Sequence, residues 1–183
     1  MNRTGRALAL GCLLLLQPLM ATAGGNSLLI PAVGRCTLNT SAQALPAALT
    51  ACQQAAKDGD AQAQFELGQF YYDGTRTERD LNQALSYFEQ ASLQGHAEAQ
   101  YHLGTMFFKG EGVAANNIQA YIVLKMAAVN GAEDALDVAD EVSGQMRRED
   151  LEVATQVLGQ IFRKYLLELQ TAEGSRSPFA PLP

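Results

Sequence analysis

Apolar and polar positions follow the same order twice in the middle of the chain. Residues 60–95 align without a gap on residues 96–131, an offset of 36 residues. In each segment an apolar face at helical spacing is followed by a glycine, and a second apolar face then ends at another glycine. The pattern predicts two helices per unit. In the first unit the first helix runs from about Asp60 to Tyr72, and the second from just after Asp80 to about Leu93. The apolar face of the first helix is Ala63, Leu67, Phe70 and Tyr71. The apolar face of the second helix is Leu81, Ala84, Leu85, Phe88 and Ala91.

Capping residues predict where these helices begin and end. Asp80 and Asn116 are expected as N-caps of the second helices, and Gly74 and Gly95 as the residues that stop the helices of the first unit. A half-unit precedes the first unit, because Ala48, Cys52, Ala55 and Gly59 fall on the apolar and glycine positions of the second helix.

Small residues at fixed positions of the unit predict close helix packing. Gly68 lies in the middle of a predicted helix, where glycine costs about 1 kcal/mol relative to alanine, so it needs a packing reason. One unit cannot bury both of its apolar faces, but stacked units can. The chain is therefore predicted to be all-α: a right-handed α/α solenoid of helix-turn-helix repeats with terminal caps.

The predicted array covers residues 44–146 and ends in a degenerate third unit, in which Asp140 replaces the glycine found at Gly68 and Gly104. Residues 147–171 are predicted as a C-terminal capping helix, because an apolar stripe continues from Leu151 to Leu169. Residues 24–43 are expected to form an irregular N-terminal cap. Residues 172–183, rich in proline, serine and glycine, are expected to be a disordered tail.

The first 23 residues have the composition of a secretory signal peptide. Arg3 and Arg6 precede an apolar run of about ten residues, and Ala21-Thr22-Ala23 fits the small-residue cleavage rule, so cleavage is predicted after Ala23. The run is too short to span a bilayer. An uncleaved anchor and a lipoprotein signal ending at Cys12 are the alternatives. Export of a small domain by this signal indicates a bacterial periplasm.

Two cysteines, Cys36 and Cys52, remain after the predicted cleavage. An even count in an oxidising compartment favours a disulfide between them. The alternative is two separate buried thiols, because spacing alone does not show that their Cα atoms come close enough.

The repeat resembles the Sel-one-like repeat of the tetratricopeptide-like superfamily. The stretch Leu103-Gly104-Thr105-Met106-Phe107-Phe108-Lys109-Gly110-Glu111-Gly112-Val113 fits its Leu-Gly-x-x-Tyr-x-x-Gly-x-Gly-Val signature with phenylalanine for tyrosine. The first unit departs from it, since Gly74-Thr75-Arg76-Thr77 lacks the second glycine and the valine. The resemblance implies the fold and a scaffold function, and it implies no particular partner.

Composition and motifs exclude several classes of function. The chain has 183 residues, 48% of them hydrophobic and 17% charged, with a net charge of −6, so no electrostatic footprint for nucleic acid exists. No second apolar stretch is long enough to span a membrane, so the mature protein is not expected to be membrane-embedded. No catalytic residues, cofactor or metal site are predicted. His96 and His102 are interpreted as surface residues, because their spacing does not bring them to one helical face.

Positions that vary between units form a polar stripe on the first helices, at i, i+4, i+7 and i+11. In this superfamily the first helices line the concave surface, so the stripes predict a groove that binds an extended peptide or a partner helix. Its members on the first two units are Gln62, Glu66, Gln69, Asp73, Glu98, His102, Thr105 and Lys109, and on the third Asp134, Val138, Glu141 and Gln145.

The sequence thus predicts an exported, non-catalytic scaffold or adaptor that binds a protein or peptide partner in the envelope. Two alternatives stay open. A binder of envelope polysaccharide or peptidoglycan would expose Tyr71, Tyr72, Phe107 and Phe108 as stacking platforms. A cell-wall hydrolase would bring two carboxylates together in a pocket.

Overall fold

A computed structural model of the chain describes residues 36–174, with side chains through Glu168. The predicted signal peptide, the first part of the predicted N-terminal cap and most of the predicted tail lie outside the described residues. Within residues 36–174 the chain forms seven α-helices and no strand: α1 Leu45–Lys57, α2 Ala61–Asp73, α3 Leu81–Leu93, α4 Ala97–Lys109, α5 Asn117–Asn130, α6 Ala135–Gln145 and α7 Arg148–Gly174. The all-α repeat solenoid is confirmed. No described helix is both long and apolar enough to cross a membrane.

The helices pack as successive hairpins. α2 packs on α3 and α4 on α5, so each 36-residue unit forms one hairpin, while α1 packs on α2 and both α6 and α7 pack on α5. Asp60, Asp80 and Asn116 act as N-caps, because the side chain of each accepts a hydrogen bond from a backbone N–H in the first turn of the helix that follows it. Gly74 and Gly110 end α2 and α4 in the left-handed region, at φ of 62° and 72°.

The glycine in the middle of each first helix lets the second helix approach closely. A Cβ added at Gly68 would lie 2.6 Å from Cδ1 of Phe88, and one added at Gly104 would lie 2.6 Å from Cγ of Leu124. Phe88 and Leu124 are fully buried. This contact is the packing reason that the mid-helix glycine requires.

A buried glutamine joins each unit to the helix before it. Gln64 donates from Nε2 to the carbonyl of Ala56, and Gln100, one repeat later, donates to the carbonyl of Ser92. The Oε1 atoms of these two glutamines accept hydrogen bonds from Gln94 and Asn130 at the ends of α3 and α5. These are the two buried polar residues among those described, and both are satisfied.

The N-terminal cap segment is held by a disulfide and an arginine. Cys36 and Cys52 are bonded, and Cys52 is fully buried on α1. Arg76 donates hydrogen bonds to the carbonyls of Leu38 and Thr40. Arg76 occupies the position of Gly112 in the next unit, where the glycine packs closely on Leu81. The first unit departs from the repeat signature at this position, and Arg76 there attaches the N-terminal segment.

The last helix is longer than predicted. α7 runs to Gly174, three residues into the segment predicted as a tail. The reason is local: Gly95 and Gly131 follow the ends of α3 and α5, but Leu167 occupies the equivalent position on α7. Without a glycine there the chain has no left-handed stop, and the helix continues.

Candidate partner-binding surface

The eight stripe residues of the first two units lie on the accessible sides of α2 and α4. None is buried: Gln62, Asp73, Glu98 and Lys109 are exposed, and the others are half-buried. The same two helices bury Ala63, Leu67, Ala99 and Leu103 on their other sides. Because α2 and α4 also contact each other directly, the stripes of the two units lie side by side.

His102 lies at the centre of an aromatic cluster rather than on an open surface. Its ring stacks on Phe88 at a centroid distance of 5.0 Å and lies within 6 Å of Phe65, Tyr72 and Tyr101. Burial lowers the pKa of His102, against the opposing effect of the Glu98 and Asp73 carboxylates. The expectation of a plain surface residue is therefore wrong: this imidazole is half-buried and favours its neutral form.

His96 is the N-cap of α4, which also corrects its interpretation as a surface residue. Its Nδ1 accepts a hydrogen bond from the backbone N–H of Ala99, so its Nε2 carries the proton and donates it to Oε1 of Gln62 at 3.0 Å. Gln62 in turn donates to Glu66 at 2.9 Å. The ring stacks on Phe65, and burial lowers the pKa of His96. This chain of hydrogen bonds fixes stripe residues of α2 to the start of α4.

A second link joins the end of α2 to the loop between α4 and α5. The hydroxyl of Tyr72 donates a 2.6 Å hydrogen bond to Glu111, and Arg79 forms a 3.4 Å ion pair with the same carboxylate. The Arg79 guanidinium lies 5.0 Å from the centre of the Tyr72 ring. Burial is the main cause that raises the pKa of Tyr72, while its hydrogen bond lowers the pKa of Glu111. Sequence reasoning missed this link, because Glu111 is a variable residue between two signature glycines.

An acidic cavity extends the stripe toward the third unit. It has a volume of about 290 Å³ and is lined by Glu98, Glu133 and Asp134 together with Tyr101. All three carboxylates are solvent-exposed. The cavity therefore offers solvated carboxylates to a ligand, whereas glycoside hydrolysis uses one desolvated carboxyl.

The four aromatic residues expected on a glycan-binding surface are largely covered. Tyr71 and Phe107 are buried, each 9% exposed, while Tyr72 and Phe108 are half-buried and packed against the core. Arg79 covers one face of the Tyr72 ring. Stacking of a sugar requires an open ring face, so this arrangement weighs against the glycan alternative. Among the described residues no group of three His, Cys, Asp or Glu side chains is placed to hold a metal ion.

The fold and this surface define an all-α repeat protein of helical hairpins. Comparison with protein families shows which repeat it carries: the family described as Sel1 repeat matches residues 61–96 and 97–131. The chain therefore contains two Sel1 repeats, and the resemblance found in its sequence is confirmed. Proteins with these repeats are generally non-catalytic scaffolds for protein–protein interaction. A search of the curated proteins found no match.

Three solved structures are similar to the chain. The Escherichia coli protein c5321, a protective antigen of uropathogenic strains with an SLR fold, has a TM-score of 0.61 and 24% identity, over 74% of this chain and 29% of that one. A Sel1 repeat protein from Oxalobacter formigenes has a TM-score of 0.48 and 31% identity, over 50% of this chain and 37% of that one. The cysteine-rich protein B of Helicobacter pylori has a TM-score of 0.49 and 26% identity, over 51% of this chain and 70% of that one. The chain thus spans about a third of the first two proteins, and the first comparison shows the shared fold.

Proposed function

We propose that this protein is an exported scaffold that binds an extended, basic segment of a partner protein along the stripe of α2, α4 and α6. The observation that carries this proposal is that the stripe stays accessible along α2 and α4, where four of its members are exposed and four, His102 among them, are half-buried. None of its eight members on α2 and α4 is buried, although the opposite sides of these helices form the core. A preformed face of this kind binds a segment without reorganising itself.

The charge of the stripe supports a basic partner. Glu66, Asp73 and Glu98 on the first two units, with Asp134 and Glu141 on the third, outnumber the single cation Lys109. Burial favours the neutral form of His102, which therefore adds little positive charge near neutral pH. A lysine or arginine side chain has the size and sign to enter the cavity between Glu98 and Asp134.

The links between units support a rigid face. Gln62 and His96 join α2 to α4 on the stripe itself, and Tyr72 joins the end of α2 to Glu111. Binding to a rigid surface costs less conformational entropy than binding to a mobile one, so each polar contact with the partner contributes more of its free energy.

Export is the second part of the proposal. The Cys36–Cys52 disulfide supports an oxidising compartment, and the predicted signal peptide supports the periplasm. Mass spectrometry of the protein from an envelope fraction tests it directly. A chain that begins at Gly24 is expected; retention of residues 1–23, or recovery from the cytoplasm alone, would contradict export.

A peptide selection tests the binding surface. The processed chain is used to select from a random ten-residue peptide library, and selected peptides are then titrated by fluorescence anisotropy at low and high salt. We expect peptides with two or more lysine or arginine residues, whose affinity falls as salt rises. The variant Glu66→Gln, Glu98→Gln, Asp134→Asn removes three stripe charges and is expected to bind at least tenfold more weakly.

A matched variant makes the test specific for the stripe. Glu78→Gln, Glu89→Gln, Glu149→Gln removes three exposed carboxylates outside the stripe, so it has the same net charge as the stripe variant. It is expected to keep the affinity of the unmodified chain. Equal weakening by both variants would show an effect of net charge alone, and selection of no peptide would contradict the proposed function.

A further inference from the structure

The N-caps of α2 and α4 occupy the same position of the repeat but differ in their chemistry. Asp60 and His96 lie 36 positions apart, and each accepts a hydrogen bond from the backbone N–H three residues further on. Asp60 accepts with a carboxylate oxygen, 3.0 Å from the nitrogen of Ala63. His96 accepts with Nδ1, 3.2 Å from the nitrogen of Ala99. The cap of α4 therefore depends on whether an imidazole is neutral or protonated.

A protonated His96 cannot form this cap. Protonated imidazole carries hydrogen on both ring nitrogens, so Nδ1 would become a donor that faces the N–H donor of Ala99. The N-terminus of α4 also carries the positive end of the helix dipole, which disfavours a cation at this position. The ring of His96 must therefore turn away from Ala99 when it takes up a second proton, and the first turn of α4 loses its cap.

The same ring joins the start of α4 to α2. Nε2 of His96 donates to Oε1 of Gln62 at 3.0 Å, and the ring stacks on Phe65 at a centroid distance of 4.6 Å. All of these contacts belong to one orientation of the imidazole, the one that aims Nδ1 at Ala99. A ring that turns away from Ala99 therefore also leaves Gln62 and Phe65, and the cap and the contact between the repeats are lost together.

Two carboxylates of the stripe attract the protonated ring. Within the described part of the chain, the charges that act on His96 are those of Glu98, on α4, and Glu66, on α2. Burial outweighs the attraction of both carboxylates while the ring is in place, so the pKa of His96 lies below its ordinary value and the cap is kept at neutral pH. Once the ring has turned out of its buried position, an imidazolium beside Glu66 and Glu98 neutralises part of the negative charge that a basic partner needs.

We propose that His96 is a pH-sensitive contact between the two repeats: its protonation releases the first turn of α4 from α2 and weakens the binding of a basic segment to the stripe. The release of the contact stands apart from the proposed function, whereas its effect on binding rests on that function. Histidine is the side chain whose ordinary pKa allows such a change between about pH 5 and pH 7. A partner held at neutral pH would thus be released in acid.

Nuclear magnetic resonance of the processed chain tests the release directly. The ring nitrogens of His96 and the amide protons of Ala99 and Ala63 are followed from about pH 7.5 to about pH 5. The Ala99 amide proton is expected to move upfield as the ring takes up its second proton, because it loses its acceptor. The Ala63 proton, which a carboxylate accepts, is the internal control and is expected to stay in place. A ring that is protonated without a shift at Ala99, equal shifts at both amides, or a ring that stays neutral throughout would each overturn the proposal.

Two substitutions at the cap test the effect on binding. His96→Asn keeps a neutral N-cap, and His96→Asp copies the cap of the preceding unit, so both variants cap α4 without an imidazole. A basic peptide selected by the unmodified chain is titrated with all three proteins at both pH values. From about pH 7.5 to about pH 5 the Kd is expected to rise about fivefold for the unmodified chain and less than twofold for each variant. His102 and the carboxylates are present in all three proteins, so their own titration cancels in this comparison.

The outcomes of the two experiments are independent. An equal rise of the Kd in the unmodified chain and in both variants would show that His96 does not control binding, and would overturn that part of the proposal even where Ala99 loses its hydrogen bond. Selection of no basic peptide would contradict the proposed function, while the amide shifts would still decide whether the contact opens in acid. Circular dichroism at both pH values verifies that the chain stays folded, and a global loss of helix at about pH 5 would replace local release by unfolding and overturn the proposal.

Discussion

The hydroxyl of Tyr72, at the end of α2, donates a 2.6 Å hydrogen bond to the carboxylate of Glu111, in the loop after α4. The bond joins residues of two successive repeats that are 39 positions apart in the chain. It positions the last turn of the stripe in the first unit against the second unit. The rigidity of the proposed binding surface therefore depends on a contact between repeats as well as on each hairpin.

Removal of the Tyr72 hydroxyl is expected to destabilise the protein. A hydrogen bond to a charged acceptor contributes more than a neutral one, and partial exposure reduces this, so Tyr72→Phe is expected to lower the free energy of unfolding by about 1 kcal/mol. Urea unfolding measures the change. Tyr121→Phe is the control, because the Tyr121 hydroxyl has no hydrogen-bond partner among the described residues. A loss of the same size in both variants would show that the bond to Glu111 contributes nothing.

Two glycine-to-alanine changes in helices are expected to change the free energy of unfolding in opposite directions. At Gly68 the new Cβ would meet the fully buried Phe88 at 2.6 Å, so overpacking outweighs the gain in helix propensity and costs about 1–2 kcal/mol. At Gly159, in the middle of α7, nothing lies within 4 Å of the new Cβ. Gly159→Ala is expected to stabilise by about 0.5–1 kcal/mol. Thermal unfolding of both variants checks the signs, and a stabilised Gly68→Ala would contradict the packing reason given for this glycine.

Reduction of the disulfide is expected to weaken the N-terminal end of the array. Cys36 and Cys52 are 16 residues apart, and closure of a loop of this length stabilises by about 3 kcal/mol in the chain-entropy model. The urea midpoint of the processed chain should therefore fall when a reductant is added. Cys36→Ser should unfold at one midpoint with and without the reductant. If the reductant does not change the urea midpoint of the unmodified chain, the disulfide does not form in solution.

The two histidines predict how stability depends on pH. Burial lowers the pKa of both His96 and His102 in the folded protein, so the unfolded chain binds protons first as the pH falls through about 6.5. The free energy of unfolding is therefore highest above this pH and decreases from about pH 7 toward the folded pKa values. Urea unfolding across pH 5–8 measures the slope.

Replacement of both histidines tests this assignment. The chain has two histidines, so His96→Asn with His102→Phe removes all imidazole titration, while asparagine keeps an N-cap for α4 and phenylalanine keeps a ring in the aromatic cluster. The slope between pH 5 and 7 is expected to disappear in this variant. An unchanged slope would show that the two histidines do not cause the pH dependence.

Most of the fold follows from local patterns in the sequence. The 36-residue offset is read directly from the sequence, and the N-caps Asp80 and Asn116 and the helix-ending glycine Gly74 are each visible within a few residues. The contacts that join repeats are not visible in this way. Gln64 and Gln100 align in the sequence, but the carbonyls that they satisfy become their neighbours only when the hairpins stack.

The residues of the candidate sites also divide into those that the sequence predicts and those that only the tertiary structure reveals. Periodicity by itself determined the residues of the polar stripe and their place on the first helices, because helical spacing decides which side chains share a face. Tertiary structure decided that His102 lies among aromatic rings and that Glu111 binds Tyr72. It also decided that His96, which caps α4, reaches Gln62 on α2, since this contact depends on how neighbouring helices pack. The local sequence determines on which face of a helix a residue lies. Only the packing of the repeats determines which residues of other helices that face contacts.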